Sequence, residues 1–262
     1  MIPSIRIYNG LGTSKESLYH TFNSFVHYVS TKYHISYISA EEIIRGDWID
    51  NTSLLIIPGG KDRCYAEHLN GKGNKYIQNY LMQGGSFLGI CAGAYYSGTY
   101  LEFAKSSPIE VVSTRELAIY QGGVIGPALC KYYYNSNKGA RAARIILNTP
   151  NLSEDSMVFY NGGGYFLDAQ NVANTKIIAN YEDCKAAIIM CKLGRGRAIL
   201  SGVHFECDPY LMRHSKLLNP IIGSLIKHNK SRIMLVKHIL NMLSIEANEK
   251  NKQSCKNNVN SY

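Results

Sequence analysis

The chain has 262 residues, 45% of them hydrophobic and 18% charged, which is typical of one folded globular domain and excludes a disordered chain. Its apolar runs are far shorter than the ~20 residues that a membrane-spanning helix needs, so we expect no membrane association. The first residues lack a basic stretch followed by a long apolar run, which favours a first strand over a signal peptide.

The net charge of +9 bears on whether the protein binds nucleic acid, and the seven cysteines bear on the redox state of its cellular compartment. The basic residues are scattered in ones and twos, which favours a solvated surface over a nucleic-acid interface. The cysteines are odd in number and none forms a C-x-x-C pair, so we expect neither a disulfide framework nor a zinc ribbon. Reduced thiols in the cytoplasm are the simplest interpretation.

In the first part of the chain, short β-like runs alternate with helical patterns. Strands are predicted at Ile5–Tyr8, His34–Ser39, Ser53–Ile57 and Ser86–Ile90. Helices are predicted at Leu18–Val29, with Ser14 as the N-cap, and at Tyr76–Met82, which ends at Gly84-Gly85. This alternation predicts an α/β fold with a mostly parallel central sheet covered by helices.

The pattern changes between about Ile109 and Ala187, where Val-, Ile- and Tyr-rich runs are separated by glycine and asparagine. These runs predict a β-rich insertion or extension of the sheet. A further strand is predicted at Arg197–Val203 after a hairpin turn at Gly194, and helices at Leu217–Ile226 and Ile233–Leu243. We therefore expect one domain over residues 1–245, followed by a polar, disordered tail over 246–262.

Cys91 is the first candidate catalytic residue. The segment Gly89-Ile90-Cys91-Ala92-Gly93 follows an apolar strand and fits the pattern of a nucleophile elbow, in which the chain turns sharply from strand to helix. Such a turn leaves the nucleophile in a strained backbone conformation and crowds its flanks, so only residues without large side chains fit there. A helix beginning at Ala92 would direct its positive end at the sulfur and favour the thiolate.

A cysteine nucleophile needs a base, and the base needs a group that fixes its tautomer. His204 and Glu206 alternate with Phe205 just past a predicted strand, so on an extended segment both side chains would lie on one side. We predict His204 as the base and Glu206 as the residue that orients it. The alternative, two ligands of a metal ion, lacks an obvious third ligand, so no metal is expected.

The same chemistry requires backbone donors where negative charge develops on a carbonyl oxygen. We predict that the amides of Gly60 and Ala92 form this oxyanion hole, because glycines leave amides free to point into a site. A plain glycine turn would account for the same residues. The substrate pocket is expected to include Gly59 and Tyr95, together with the loop residues Asn161, Gly162 and Gly163.

Five stretches together resemble the N-terminal domain of eukaryotic-type biotin–protein ligases, a branch of the class I glutamine amidotransferase-like superfamily. They are Ile7–Ser14, Ile57–Asp62, Gly89–Tyr95, Tyr160–Tyr165 and Ser201–Glu206. The resemblance implies a flavodoxin-like, three-layer αβα sandwich. It also implies a Cys-His-Glu triad, which carries over onto Cys91, His204 and Glu206.

The sequence departs from this pattern in two ways. Tyr95 stands where similar amidotransferases have a glutamine four residues after the nucleophile, which argues against glutamine as the substrate. The chain also ends too soon after Glu206 to hold a ligase catalytic module, so we do not expect biotin-ligase activity from it alone.

Two functional hypotheses follow from the sequence. The first is a cysteine-dependent amidase or hydrolase that acts on a small molecule or an amide and needs no cofactor. The second is a non-catalytic ligand-binding or protein-interaction module that retains the triad. A homodimer, or a partner synthase or ligase subunit, is compatible with either hypothesis.

Overall fold

The computed structural model describes residues 2–149, 152 and 154–248. The strands of the first part are β1 (Ser4–Tyr8), β2 (His34–Ile38), β3 (Thr52–Ile57), β4 (Ser86–Ile90), β5 (Gly98–Phe103), β6 (Val111–Thr114) and β7 (Tyr120–Gly126). The later strands are β8 (Arg141–Leu147), β9 (Asp155–Tyr160), β10 (Tyr165–Phe166), β11 (Thr175–Tyr181), β12 (Ala186–Leu193) and β13 (Gly196–Ser201). The helices are α1 (Lys15–Tyr28), α2 (Ala40–Arg45), α3 (Asp62–Leu69), α4 (Lys72–Met82), α5 (Ala92–Tyr96), α6 (Asn219–Lys227) and α7 (Asn229–Met242).

A five-stranded parallel unit forms the centre of the fold, in the order β2-β1-β3-β4-β13. Strand β4, which leads into Cys91, lies between β3 and β13, and β13 leads towards His204. Because parallel strands end on the same edge of a sheet, this order brings together the loops after β3, β4 and β13. The predicted site residues Gly60, Cys91 and His204 lie in these three loops, one in each.

Alternate side chains of the central strands pack on opposite faces of the sheet. Ile5, Ile7, Leu54, Ile56, Leu88 and Ile90 join the cluster that contains Phe25 of α1 and Leu235 of α7. Tyr8, Leu55, Ile57 and Phe87 join the cluster that contains residues of α2 to α5. The arrangement is an αβα sandwich, and the predicted α/β fold class with its mostly parallel sheet is confirmed.

Beyond β13 the sheet continues through mainly antiparallel strands, as predicted for the β-rich extension. The order runs β13-β12-β10-β7-β5-β6, and β11, β8 and β9 branch from β12. Strands β12 and β13 form a hairpin in which Leu193 pairs with Gly196, so Gly194 and Arg195 make the predicted turn. This extension carries Phe159 and Asn161 to the edge where Cys91 lies.

Several helix bounds differ from the prediction. Helices α2 and α3 were not predicted, although α2 has a capping box between Ser39 and Glu42. Helix α4 begins four residues before the predicted Tyr76, and Ser14 caps α1 as predicted. Across the described ranges, every helix is too short or too polar to span a bilayer.

The predicted tail begins as an ordered segment. Ala247 forms a β-bridge with Val29 at the end of α1, and the amide of Asn248 donates to the carbonyl of Tyr28 at 2.8 Å. The chain therefore stays packed on the domain for three residues past the predicted boundary. Residues 249–262 of that tail lie outside the described residues.

Candidate active site

The backbone turns sharply from strand to helix at Cys91. The backbone of this residue has φ 51° and ψ −103°. Residues other than glycine rarely adopt a positive φ. A Cβ added to Gly89 would come within 2.8 Å of the Gly93 carbonyl oxygen, and one added to Gly93 within 2.0 Å of that of Ile57. The two glycines are therefore required by the close approach of backbone segments around Cys91.

Two contacts hold the cysteine in place. Its amide donates to the carbonyl of Ser201 at the end of β13, at 2.8 Å, and its half-buried Sγ lies 3.9 Å from the carbonyl oxygen of Asn161. The helix that follows, α5, spans only five residues. The dipole of so short a helix stabilises a negative charge on the sulfur less than the sequence analysis assumed. Charged side chains near the thiol are therefore the larger influence on that charge.

His204 and Glu206 form a buried pair. The Nδ1 atom of His204 lies 2.8 Å from Oε1 of Glu206, and the two residues are 7% and 0% exposed. Burial lowers the pKa of His204, but the carboxylate of Glu206 and the side chain of Cys91 outweigh it and hold that pKa well above its usual range. The ring therefore carries a positive charge and contacts both Glu206 and Cys91.

The pair arises from a turn and not from the extended segment predicted from the sequence. His204 forms a single β-bridge with Phe159, and the amide of Cys207 then donates to the His204 carbonyl at 3.3 Å. This tight turn folds Glu206 back onto the ring of His204. The prediction that strand alternation aligns the two side chains is wrong, because the chain leaves the sheet at His204.

A buried arginine that the sequence interpretation missed supports this turn. Arg232 of α7 is 0% exposed and donates to the Phe205 carbonyl at 3.0 Å and to the Tyr28 hydroxyl at 3.0 Å. It also lies 3.5 Å from the carboxylate of Asp208. No pattern around residue 232 distinguishes it from an ordinary surface cation on an amphipathic helix.

The predicted oxyanion donors line the same cavity as Cys91. This cavity has a volume of about 440 Å³, and its lining includes Gly60, Ala92, Cys91 and His204. Among the described residues, no protein acceptor is found for the amides of Gly60 and Ala92. The amide of Gly59 donates instead to the Ser17 hydroxyl at 2.8 Å, so Gly59 shapes the wall and offers no free donor.

Three tyrosine hydroxyls fix the glycine loop beside the cavity. Tyr95 donates to the Gly162 carbonyl at 3.1 Å, Tyr160 to that of Gly163 at 2.9 Å, and Tyr181 to that of Gly164 at 3.0 Å. Burial is the main cause that raises the pKa of Tyr95 well above its usual range, so its hydroxyl remains a donor.

The residues of this loop have different surroundings. Asn161 and Gly162 line the cavity with Tyr95, whereas Gly163 faces away, where an added Cβ would come within 1.6 Å of the Gly202 carbonyl oxygen. Gly163 is thus a backbone-packing residue and not the pocket residue that the sequence predicted.

His20 of α1 also lines the cavity, and no motif in the sequence indicated it. It is 3% exposed, and its Nδ1 has no hydrogen-bond partner within the described part of the chain. Burial is the main cause that lowers the pKa of His20, so the ring is neutral beside the charged His204. The site thus pairs one positive and one neutral imidazole.

Cys207 gives the His204–Glu206 pair a potential third metal ligand. The ligand atoms of the three residues lie within 4.8 Å of one another. One observation disfavours a metal at this position, because the His204 ring nitrogen already bonds directly to Glu206. The described cysteines are all unbridged.

Comparison with known proteins identifies the family. The model of the family described as "Biotin-protein ligase, N terminal" matches residues 3–262. A biotin–protein ligase of Schizosaccharomyces pombe is 33% identical over 249 residues, which cover 93% of this chain and 38% of that protein. An uncharacterised protein of Chlamydia muridarum is 38% identical over 166 residues, 62% of this chain and 63% of that one. The chain thus spans less than two thirds of either relative.

Solved structures with much lower identity share the fold. The structure of PurLQS from Thermotoga maritima superposes with a TM-score of 0.52 at 16% identity, over 93% of this chain and 100% of that one. A ThuA-like protein from Bacteroides uniformis gives 0.50 at 8% identity, over 89% of each chain. With the family model across nearly its whole length, the chain belongs to the biotin–protein ligase N-terminal family and has a glutamine amidotransferase-like fold.

Proposed function

We propose that this protein is a cysteine-dependent amidase or hydrolase in which Cys91 is the nucleophile, His204 the acid–base and Glu206 the residue that orients His204. The observation that carries the proposal is the charged His204–Glu206 pair held against a cysteine whose backbone is strained at a strand-to-helix junction. Strained residues persist where the surrounding structure holds them and cluster at active sites.

The mechanism starts from an ion pair. In the proposed mechanism, charged His204 lies between Glu206 and Cys91, and the thiolate of Cys91 is the attacking species. The thiolate forms a bond to the carbonyl carbon of the substrate, and the amides of Gly60 and Ala92 stabilise the charge on the oxygen. His204 then donates its proton to the leaving amine as the carbon–nitrogen bond breaks, which leaves a thioester on Cys91.

The second half returns the enzyme to its starting state. Neutral His204 takes a proton from water, the resulting hydroxide attacks the thioester carbon, and the carbon–sulfur bond breaks. The products are a carboxylic acid, the Cys91 thiolate and the charged His204. A nucleophile on a second copy, or on a synthase or ligase subunit, could replace water in this step.

Alkylation by iodoacetamide at neutral pH tests the nucleophile. Cys184, an exposed cysteine of the same chain, is the internal control. We expect half-buried Cys91 to react at least about tenfold faster than Cys184, since the thiolate is the reactive species. Peptide mass spectrometry over a time course gives both rates from one sample. Equal rates, or a slower Cys91, would remove the basis for the proposal.

A non-catalytic binding module is the second candidate. The observation in its favour is Tyr95, which stands at the fourth position after Cys91 and whose hydroxyl proton is already donated to Gly162. A Cys91→Ala variant separates the two candidates. Full biological activity in cells that carry this variant would favour the binding module, and loss of activity with unchanged folding would favour catalysis.

A further inference from the structure

We infer that the site accepts a substrate whose acyl group is aromatic or branched and apolar, and that it discriminates against the charged γ-glutamyl group of glutamine. This inference rests on the proposed function, because it concerns the wall of the cavity that contains Cys91. It identifies the substrate class that the sequence left open.

The first argument is the chemistry of Tyr95. Its hydroxyl is committed to Gly162, and its ring meets that of Phe103 edge to face, with centroids 5.6 Å apart. An added Cβ on Gly126 or on Gly164 would come within 3.0 Å of Tyr95 atoms. The residue is thus fixed, and with its proton committed to Gly162 it offers a substrate ring surface and no free hydrogen-bond donor.

The second argument is that Tyr95 begins a continuous aromatic wall, formed by Tyr95, Phe103, Tyr132 and Tyr134. The centroids of Phe103 and Tyr132 are 5.5 Å apart, and those of Tyr132 and Tyr134 are 5.1 Å apart, both edge to face. All four residues line the cavity. Such a wall gains by burying apolar substrate surface. It would desolvate the ammonium and carboxylate of a γ-glutamyl group without replacing the hydrogen bonds that these groups make to water.

The third argument concerns charge at the mouth of the cavity. Asp62 accepts two hydrogen bonds from Arg115, at 2.6 and 2.9 Å, and Arg63 pairs with Glu67 at 3.0 Å. Asp62 and Arg63 are thus engaged by the protein, and Glu110, which also lines the cavity, accepts from the amide of Ser106. Glu16 and Lys61 line the cavity as well. Ile109 and Val111 add apolar surface to the lining. The part of the lining formed by these two residues and the aromatic wall therefore favours apolar substrate surface.

A pair of chloromethyl ketones tests the inference: benzyl chloromethyl ketone and the chloromethyl ketone analogue of glutamine. In both reactions the thiolate carbon–sulfur bond forms as the carbon–chlorine bond breaks and chloride leaves. Dividing each rate at Cys91 by the rate of the same reagent with glutathione removes differences in intrinsic reactivity. We expect the corrected rate of the aromatic reagent to be at least about tenfold higher, since burying one aromatic ring is worth this much or more.

Variants of two adjacent tyrosines, one in the aromatic wall and one outside it, test whether the wall causes the preference for the aromatic reagent. Tyr132→Ala should reduce the preference at least about threefold, because it removes the ring that contacts Phe103 and Tyr134. Tyr133→Ala should leave it unchanged, since Tyr133 is 40% exposed and is not among the residues that line the cavity. Should Tyr132→Ala fail to fold, Phe103→Leu, which keeps apolar volume but removes the ring, makes the same comparison.

The outcomes separate the two proposals. Equal corrected rates, or a faster glutamine analogue, would overturn the aromatic preference while rapid iodoacetamide labelling still supported the nucleophile. A preference unchanged in both Tyr132→Ala and Phe103→Leu would overturn the role of the wall. If neither chloromethyl ketone nor iodoacetamide modifies Cys91 faster than Cys184, both the inference and the proposed function fail.

Discussion

At the scale of single residues, the charge on His204 is the property on which the proposed chemistry depends. The unfolded chain returns this histidine to a pKa of about 6.5, whereas in the folded protein Glu206 and Cys91 raise the pKa well above that value despite burial. A raised folded pKa means that the charged ring contributes stability fully below about pH 6.5. This contribution is then lost as the pH rises through the folded pKa.

Glu206→Gln removes the strongest cause that raises the His204 pKa. We expect the midpoint of the His204 titration to move towards acid, and the loss of stability with rising pH to weaken. The free energy of unfolding should fall by roughly 3–5 kcal/mol, as found when one partner of a buried ion pair is removed. NMR of the histidine ring protons gives the midpoint, and urea denaturation at several pH values gives the stability.

Glu182→Gln is the control for this prediction, because Glu182 is 65% exposed and lies in a surface pair with Arg144. Surface ion pairs contribute ~0–1 kcal/mol, so this variant should behave like the wild type. A His204 midpoint that stays in place in Glu206→Gln would show that Glu206 is not what keeps the ring charged.

At the scale of elements, the junction between β4 and α5 depends on the missing side chain of Gly93. An alanine there would place its Cβ within 2.0 Å of the Ile57 carbonyl oxygen, a backbone atom that cannot move aside cheaply. We expect Gly93→Ala to destabilise the protein by about 2 kcal/mol or more and to slow Cys91 alkylation, since β3 and the junction must separate.

Gly223→Ala is the matched control, since Gly223 also lies in a helix, α6, and a Cβ there would meet nothing within 4 Å. This change should stabilise the protein by ~0.5–1 kcal/mol through helix propensity. Chemical denaturation of the two variants measures both effects. Similar stabilities for the two would contradict the close packing at the junction.

The elements that the sequence predicted best are those with a strong local signal. Continuous apolar runs located β3 and β4 to within one residue, and the glycine spacing around Cys91 identified the junction that follows. Helix α2 was missed because its apolar face is short, with only Ala40 and Ile43 buried among polar neighbours. The turn at His204 could not be predicted either, because it depends on Phe159, which lies 45 residues earlier in the chain.

At the scale of the whole molecule, Arg232 connects helices α1 and α7 to the turn that follows His204. It joins α7 to the Phe205 carbonyl and to Tyr28 at the end of α1, and it is completely buried. We expect Arg232→Met to cost roughly 3–5 kcal/mol of unfolding free energy, because it leaves these acceptors and Asp208 without their donor. Cys91 alkylation should slow as well, since the turn that carries His204 loses a support.

Lys230→Met on the same helix is the control, because Lys230 is exposed and the substitution makes the same change from a cation to methionine. Its effect should stay within about 0.5 kcal/mol. Urea denaturation and iodoacetamide labelling of both variants provide the comparison. Equal effects at the two positions would mean that the hydrogen bonds of Arg232 to the turn and to Tyr28 do not contribute to stability.

Long-range contacts such as these mark the limit of sequence interpretation. Cys91, His204 and Glu206 could be named because each lies in a short local pattern, and the strand order then brings those patterns to one edge of the sheet. His20 and Arg232 carry no pattern, and only the packing of α1 and α7 against the sheet brings them to the site. Their roles depend on burial, which a single sequence does not reveal.

The three tyrosine hydroxyls on the glycine loop have a consequence for how the specificity of this site can change. Replacing Tyr95 with glutamine would leave the Gly162 carbonyl without its donor and would open a space between Gly126, Gly164 and Phe103. We therefore expect Tyr95→Gln alone to destabilise the protein. If the proposed function holds, a change of substrate through this position would lower stability before any new substrate was gained.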